Sequence, residues 1–261
     1  MKLKIFLVIT VFLSIFSCKK ECVCPVPEET CKAKLDSGLI VYFPFNGNTN
    51  DESGNGNNAT AFNGAFLTTD YLGRTNSAAG FDGINDYLKV PGSAKLNSPQ
   101  FTVSFQVMVN SSNRRNAGIS RINFSEGKGV TYGIHESLST DNKWNYAVLP
   151  SGDDCEKKYP YDTSVAVYSN PPIQAGRWYN VIATFGDGEQ KIYVNGVLQG
   201  MRTRDFNTLK MCENADLIIG GWWSADIVSI DGKIDEVRIY NRVISDCEIS
   251  ELSKVFNEED D

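Results

Sequence analysis

From Gly38 onward the apolar residues return at every second position, and that period excludes a helical fold for most of the chain. Phe101, Val103, Phe105, Val107 and Val109 alternate with Thr102, Ser104 and Gln106, the pattern of a half-buried strand. Leu39, Val41, Phe43 and Phe45 share one face of an earlier strand, where Pro44 marks an edge or a bulge. Strands are also expected over 178–185, 191–194, 217–219 and 233–240, and Asn195-Gly196 supplies the two-residue turn that closes a hairpin onto Val197-Leu198. One helix is expected near the end. Ser245 and Glu248 have capping-box spacing, and Ile249, Leu252 and Val255 would form its apolar stripe. The 22 glycines and 9 prolines, with 4 Trp, 11 Tyr and 14 Phe, suit short strands and many turns. The expected fold is all-β: a two-sheet antiparallel β-sandwich of jelly-roll type with one short C-terminal helix.

The first residues read as an address. Lys2 and Lys4 precede an apolar run from Ile5 to Phe16, interrupted only by Thr10 and Ser14 and too short to cross ~30 Å of hydrocarbon comfortably. Ile15-Phe16-Ser17-Cys18 resembles the lipobox of bacterial lipoproteins, although Phe16 is larger than is usual there. The resemblance implies a signal peptide over 1–17, acylation of Cys18, and a cell-envelope protein held to the membrane by its lipid, surface-exposed or periplasmic. Residues 18–35, with Pro25, Pro27, Glu28 and Glu29, read as a tether of low helical and strand propensity, which leaves 36–261 as the globular domain.

Charge and cysteines fit that setting. The 25 Lys and Arg stand against 32 Asp and Glu, a net −7; losing Lys2 and Lys4 makes it 23 against 32, or −9. An acidic body has no cation excess with which to release counterions, so a nucleic-acid partner is not expected. If Cys18 carries lipid, Cys22, Cys24, Cys31, Cys155, Cys212 and Cys247 remain, and an even remainder in an oxidising compartment favours disulfides. Cys155 and Cys212, both in polar loop-like stretches, make the favoured pair. Cys31 could reach Cys247 if the chain ends meet, while Cys22, Cys24 and Cys31 could instead be a metal ligand set.

Four segments then carry a family resemblance. Residues 38–47 (GLIVYFPFNG) with 50–57 (NDESGNGN), 81–87 (FDGINDY), 178–184 (WYNVIAT) with 193–196 (YVNG), and 233–242 (KIDEVRIYNR) occur in order along the chain. Together they resemble the concanavalin A-like, laminin-G-like jelly-roll domains of bacterial surface proteins, over 38–250. Residues 110–175 match none of these patterns, and ligand specificity would sit there.

The resemblance implies a structural Ca²⁺ between the 51–58 loop and the closing strand. The loop itself packs Asp51, Asn55 and Asn57 among glycines, and hard cations take six to eight oxygens from such groups. An EF-hand is excluded, because Phe62 stands where its twelfth-position glutamate belongs. The missing charge would come from Asp235. The alternative is an Asn/Gly turn that satisfies its own backbone.

Glycosidases share the sandwich that this resemblance implies, and such an enzyme would need a catalytic carboxylate pair. Asp231, Asp235 and Glu236 have the wrong spacing, and strand alternation sets the adjacent Asp235 and Glu236 on opposite faces. Glu126, Glu136 and Glu156 stand alone, and His135 has no serine or cysteine motif beside it. The expectation is therefore a non-catalytic module that binds a glycan or glycosylated surface. Trp222 and Trp223, Trp144, Tyr146 and Arg114 are its candidate contacts, with Tyr159 and Tyr161 nearby in sequence, whereas Trp178 is expected in the core. A protein–protein assembly module is the alternative, and a polysaccharide hydrolase a weaker third.

Overall fold

In a computed structural model of the chain, the described residues are 34–112, 114–137, 143–149, 155–156, 166–170, 172–209, 211–222 and 228–257. The signal segment and nearly all of the tether, with Cys18, Cys22, Cys24 and Cys31, therefore lie outside them, as do Tyr159, Tyr161 and Trp223. Their strands, in chain order, are β1 (Leu39–Phe43), β2 (Thr60–Phe62), β3 (Phe66–Thr68), β4 (Ala78–Asp82), β5 (Tyr87–Val90), β6 (Phe101–Val109), β7 (Asn116–Asn123) and β8 (Lys128–Ser137). Then come β9 (Lys143–Val148), β10 (Ala166–Tyr168), β11 (Trp178–Gly186), β12 (Glu189–Val194), β13 (Val197–Thr203), β14 (Asp216–Ile219) and β15 (Asp231–Tyr240). Among the described residues one α-helix, α1 (Asp246–Asn257), follows, and a 3-10 turn spans Ala94–Leu96.

All the pairings are antiparallel and make two sheets. The first runs β13-β12-β11-β6-β15-β4-β3, with β1 also on β15; the second runs β10-β9-β8-β7-β14-β5-β2. The residues that alternate toward the space between the sheets form one core. Val41, Phe43, Phe105, Val107, Ile119, Ile134, Val181, Leu217 and Ile234 belong to it. The sandwich expected from the period of two is the structure found.

Three local expectations change. Leu39 leaves the face of Val41 and Phe43 because the β1–β15 register shifts between Leu39 and Val41, so Leu39 packs on the outer cluster with Ile182 and Tyr240. Strand β6 is buried on both faces rather than half-buried. It lies between β11 and β15, and its outward Thr102 and Ser104 are covered near α1, where Ser253 donates to Asn180 and Asn180 to Ser104. The capping box forms as expected, with the Ser245 N–H donating to Glu248 Oε2 at 2.8 Å and the Glu248 N–H returning to Ser245 Oγ. The helical stripe, however, is Ile249, Leu252 and Phe256; Val255 is 40% exposed. The Asn195-Gly196 turn also holds, with φ positive at both residues as such a hairpin requires.

Candidate functional site

The 46–58 loop folds back on the unpaired edge of β1, which pairs only with β15. Asp51 organises it: Oδ1 accepts the Tyr42 and Ser53 N–H groups at 2.9 and 3.0 Å, and Oδ2 accepts Asn57 N–H at 2.8 Å. The Asn55 side-chain amide donates to Leu39 O, and that of Asn57 to Ile40 O at 2.8 Å. Edge carbonyls that would face water are thereby paired with loop side chains. Gly54 and Gly56 take positive φ to make the reversal.

Asp235 lies on β15 at a bulge, where the register with β6 shifts and Glu236 takes a φ of 50°. Its Oδ1 accepts the Glu236 N–H at 2.7 Å, whereas its buried Oδ2 has no donor. Directly across on β6, Gln106 Oε1 is likewise buried without a donor. Burial first, and then the charges of Glu236 and Asp70, push the Asp235 carboxyl up to about 8, with Arg74 opposing. Asp70 itself holds the turn before β4 by accepting Leu72 N–H and both Arg74 N–H and Nε. The bulge also breaks the simple alternation expected at Asp235-Glu236. Glu236 accepts the Tyr42 hydroxyl and pairs with Arg238, whose guanidinium lies over the Tyr42 ring.

The aromatic candidates divide. Trp144 and Tyr146 are corrections: both are wholly buried between the sheets, Trp144 edge-on to Phe105 and Tyr146 edge-on to Phe101. Their strand β9 lies inside its sheet, between β8 and β10, and its alternation points these two rings inward, so neither has a face for a ligand. Trp222 is 7% exposed and tilts against His135, with its ring over Gly133; a Cβ there would lie 2.6 Å from the indole. Arg114 is spent on backbone, donating to the Gly83 and Ser229 carbonyls. Trp178, assigned to the core from sequence, is only half-buried.

Sequence reasoning missed a row of rings formed by Phe62, Tyr87 and Phe124. Phe62 stacks on Tyr87 at 4.9 Å, Phe124 meets Tyr87 at 4.4 Å, and Lys89 lies over Phe62. The visible signal was Tyr87 alternating with Leu88 on a strand whose other face is core.

Glu126 and Glu156, expected to stand alone, share Lys128, which pairs with them at 3.3 and 2.9 Å. Glu136 is wholly buried and accepts Asn116 Nδ2 at 2.6 Å, and burial pushes it up to about 7. His135 is pushed down to about 4 by burial and by the Arg115 charge. The expected Cys155–Cys212 disulfide is present, with Cα atoms 5.8 Å apart. Cys247 is also disulfide-bonded.

No curated protein sequence matches this chain. Solved structures do. Domain 4 of the extracellular arabinanase AbnA from Geobacillus stearothermophilus, solved with arabinotriose, is 21% identical at a TM-score of 0.58, over 82% of this chain and 98% of that one. The binding domain of Paraclostridial Mosquitocidal Protein 1 is 15% identical at 0.61, over 86% and 53%. The binding domain of Botulinum Neurotoxin DC in complex with SialylT is 16% identical at 0.58, over 86% and 52%. The chain spans about half the length of these two toxin domains. A sequence model of the concanavalin A-like lectin/glucanases superfamily matches residues 81–250, from the end of β4 into α1, and this chain belongs to that superfamily.

Proposed function

We propose that this protein is a non-catalytic carbohydrate-binding module, lipid-anchored at the cell envelope. The observation that carries the reading is the superfamily match, joined to a likeness covering 98% of a domain solved with an oligosaccharide. Trp144 and Tyr146 are committed to the core, so the test falls on Trp223, with Tyr159 and Tyr161, which lie outside the described residues. A glycan array probed with the full chain in detergent tests this. Binding to a defined sugar class that Trp223→Ala abolishes is the expected result; no sugar above background defeats the reading. Protein–protein assembly would then stand, favoured by Val197, Leu198 and Met201, which are exposed on the edge strand β13.

Two further parts of the proposal have their own tests. Acylated Cys18 would fix the protein to membranes, because several acyl chains at ~0.8 kcal/mol per buried CH₂ outlast salt washing. Cys18→Ala should move the protein to the soluble fraction; a variant that still sediments in high salt overturns the anchor. A structural Ca²⁺ would rest on Asp235, whose Oδ2 has no donor; Asp51, Asn55 and Asn57, the other expected ligands, are engaged with backbone at the β1 edge, and the described residues hold no cluster of three or more Asp, Glu, His or Cys side chains that could hold a metal. An ion held only by the folded state stabilises it by about 2.7 kcal/mol at a hundredfold excess over Kd. Melts of wild type with Ca²⁺ and with EDTA should differ. Equal midpoints would leave the loop as the self-satisfied turn that its hydrogen bonds already form.

A further inference from the structure

The chain enters the sandwich beside the point where it leaves it. Leu39 pairs with Tyr240, and the Asn241 N–H donates to Gly38 O at 2.8 Å. Arg242 then fastens the residues just before β1: its Nε donates to Ser37 O at 2.7 Å and its Nη2 to Lys34 O at 3.0 Å. The same Nη2 pairs with Glu248 Oε1 of α1 at 2.5 Å. Lys34, the first described residue, and Glu248 are thus joined through a single nitrogen. The neighbour of Glu248 in the first turn of α1 is Cys247, which is half-buried and disulfide-bonded.

Cys155 and Cys212 bond each other, so neither is the partner of Cys247. If Cys18 carries lipid, Cys22, Cys24 and Cys31 are the others in the chain. A disulfide requires Cα atoms about 4.4–6.8 Å apart, and an extended chain advances at most about 3.6 Å per residue. Cys31 stands three residues before Lys34, and Cys24 ten. From an end already pinned beside α1, the shorter arm gives the higher effective concentration at Cys247. We propose that Cys247 is bonded to Cys31, which makes α1 the place where the tether joins the domain. Forming the bond consumes a disulfide oxidant. The Cys31 thiolate opens the oxidant's S–S bond, and the Cys247 thiolate then displaces the oxidant from the mixed disulfide. Two protons and two electrons pass to the oxidant, which leaves as two thiols. A pull along the tether then loads α1, and β1 is not peeled from β15. That consequence rests on the membrane anchor proposed above, whereas the bond itself does not.

The test is disulfide mapping of the full chain in detergent, with free thiols alkylated before unfolding. Cleavage after Lys, Arg and Glu separates residues 30–32, which hold Cys31, from 22–28, which hold Cys22 and Cys24, and releases Cys247 within 243–248. Mass spectrometry should find 30–32 joined to 243–248, in a chain that runs as a monomer on a non-reducing gel. Cys247 alkylated, joined to 22–28, or found only in a cross-linked dimer overturns the proposal. Melts give a second measurement. With Cys22→Ser and Cys24→Ser in place to prevent re-pairing, adding Cys31→Ser, Cys247→Ser or both should lower the midpoint by about 5–15 °C, equally in all three. A midpoint that Cys247→Ser lowers and Cys31→Ser leaves unchanged also overturns it. The mapping needs neither sugar nor membrane, so its failure is distinct from a failure of the binding or anchor readings.

Discussion

Trp144→Ala is expected to lower the unfolding free energy by about 3–5 kcal/mol, the cost of emptying a large aromatic site in a packed core. The indole is wholly buried and edge-on to Phe105, and Gly118 lies close under it: a Cβ there would come within 3.0 Å of the ring. Little room exists for neighbours to collapse into the cavity, which favours the upper part of that range. Since domains of this kind are stable by only about 5–15 kcal/mol, the loss should show as a large drop in urea midpoint. A midpoint close to wild type would mean that the ring is not a core element, and would return Trp144 to the candidate ligand contacts.

Glu136→Gln should act in the opposite direction and only above acid pH. The folded carboxyl titrates at about 7 and the unfolded one at 4.5, because the native site strips it of water. Between those values the unfolded chain gives up its proton first, so stability falls as pH rises, by about 1.4 kcal/mol per pH unit, and is level above 7. Glutamine never ionises and keeps an oxygen for Asn116 Nδ2. The variant should therefore be more stable than wild type by roughly 2–3 kcal/mol at pH 8 and equal to it at pH 4. His135 has the reverse sign. It is neutral when folded down to about 4 and charges near 6.5 when unfolded, so its contribution grows as pH rises across that window. The adjacent residues offset each other in wild type, and Glu136→Gln should uncover the His135 slope. Urea curves at pH 4, 6 and 8 check this; identical midpoints at pH 8 would show that Glu136 is already solvated.

The architecture was legible because it rests on period and turn chemistry. Alternation at Phe101–Val109, the Asn195-Gly196 reversal and the Ser245–Glu248 box are local signals, and all three hold. The errors came where tertiary neighbours decide. Alternation cannot tell a central strand from an edge, so β6 read as half-buried although α1 and β11 cover its polar face. Bulges at Leu39/Val41 and Asp235/Arg238 shift register by one residue, which moves side chains to the other face without any sign in composition. The site was less legible still. A tryptophan beside a tyrosine in a polar stretch reads equally as a platform or as core, and only the position of β9 within its sheet settles Trp144 and Tyr146. Nothing local announces that a charged residue on a strand, such as Arg121 on β7, will face inward.

The pairing of β1 with β15 joins residues 39–43 to residues 237–240, the two ends of the globular body. A ribosome working from the N-terminus at about 5–20 residues per second needs roughly 10–40 seconds to pass from one to the other. Through that interval Val41 and Phe43 have no partner strand, and their apolar side chains remain open to any other sticky surface nearby. The sandwich cannot be completed piecemeal. The pairing of β1 therefore waits until the ten residues of β15 have been made.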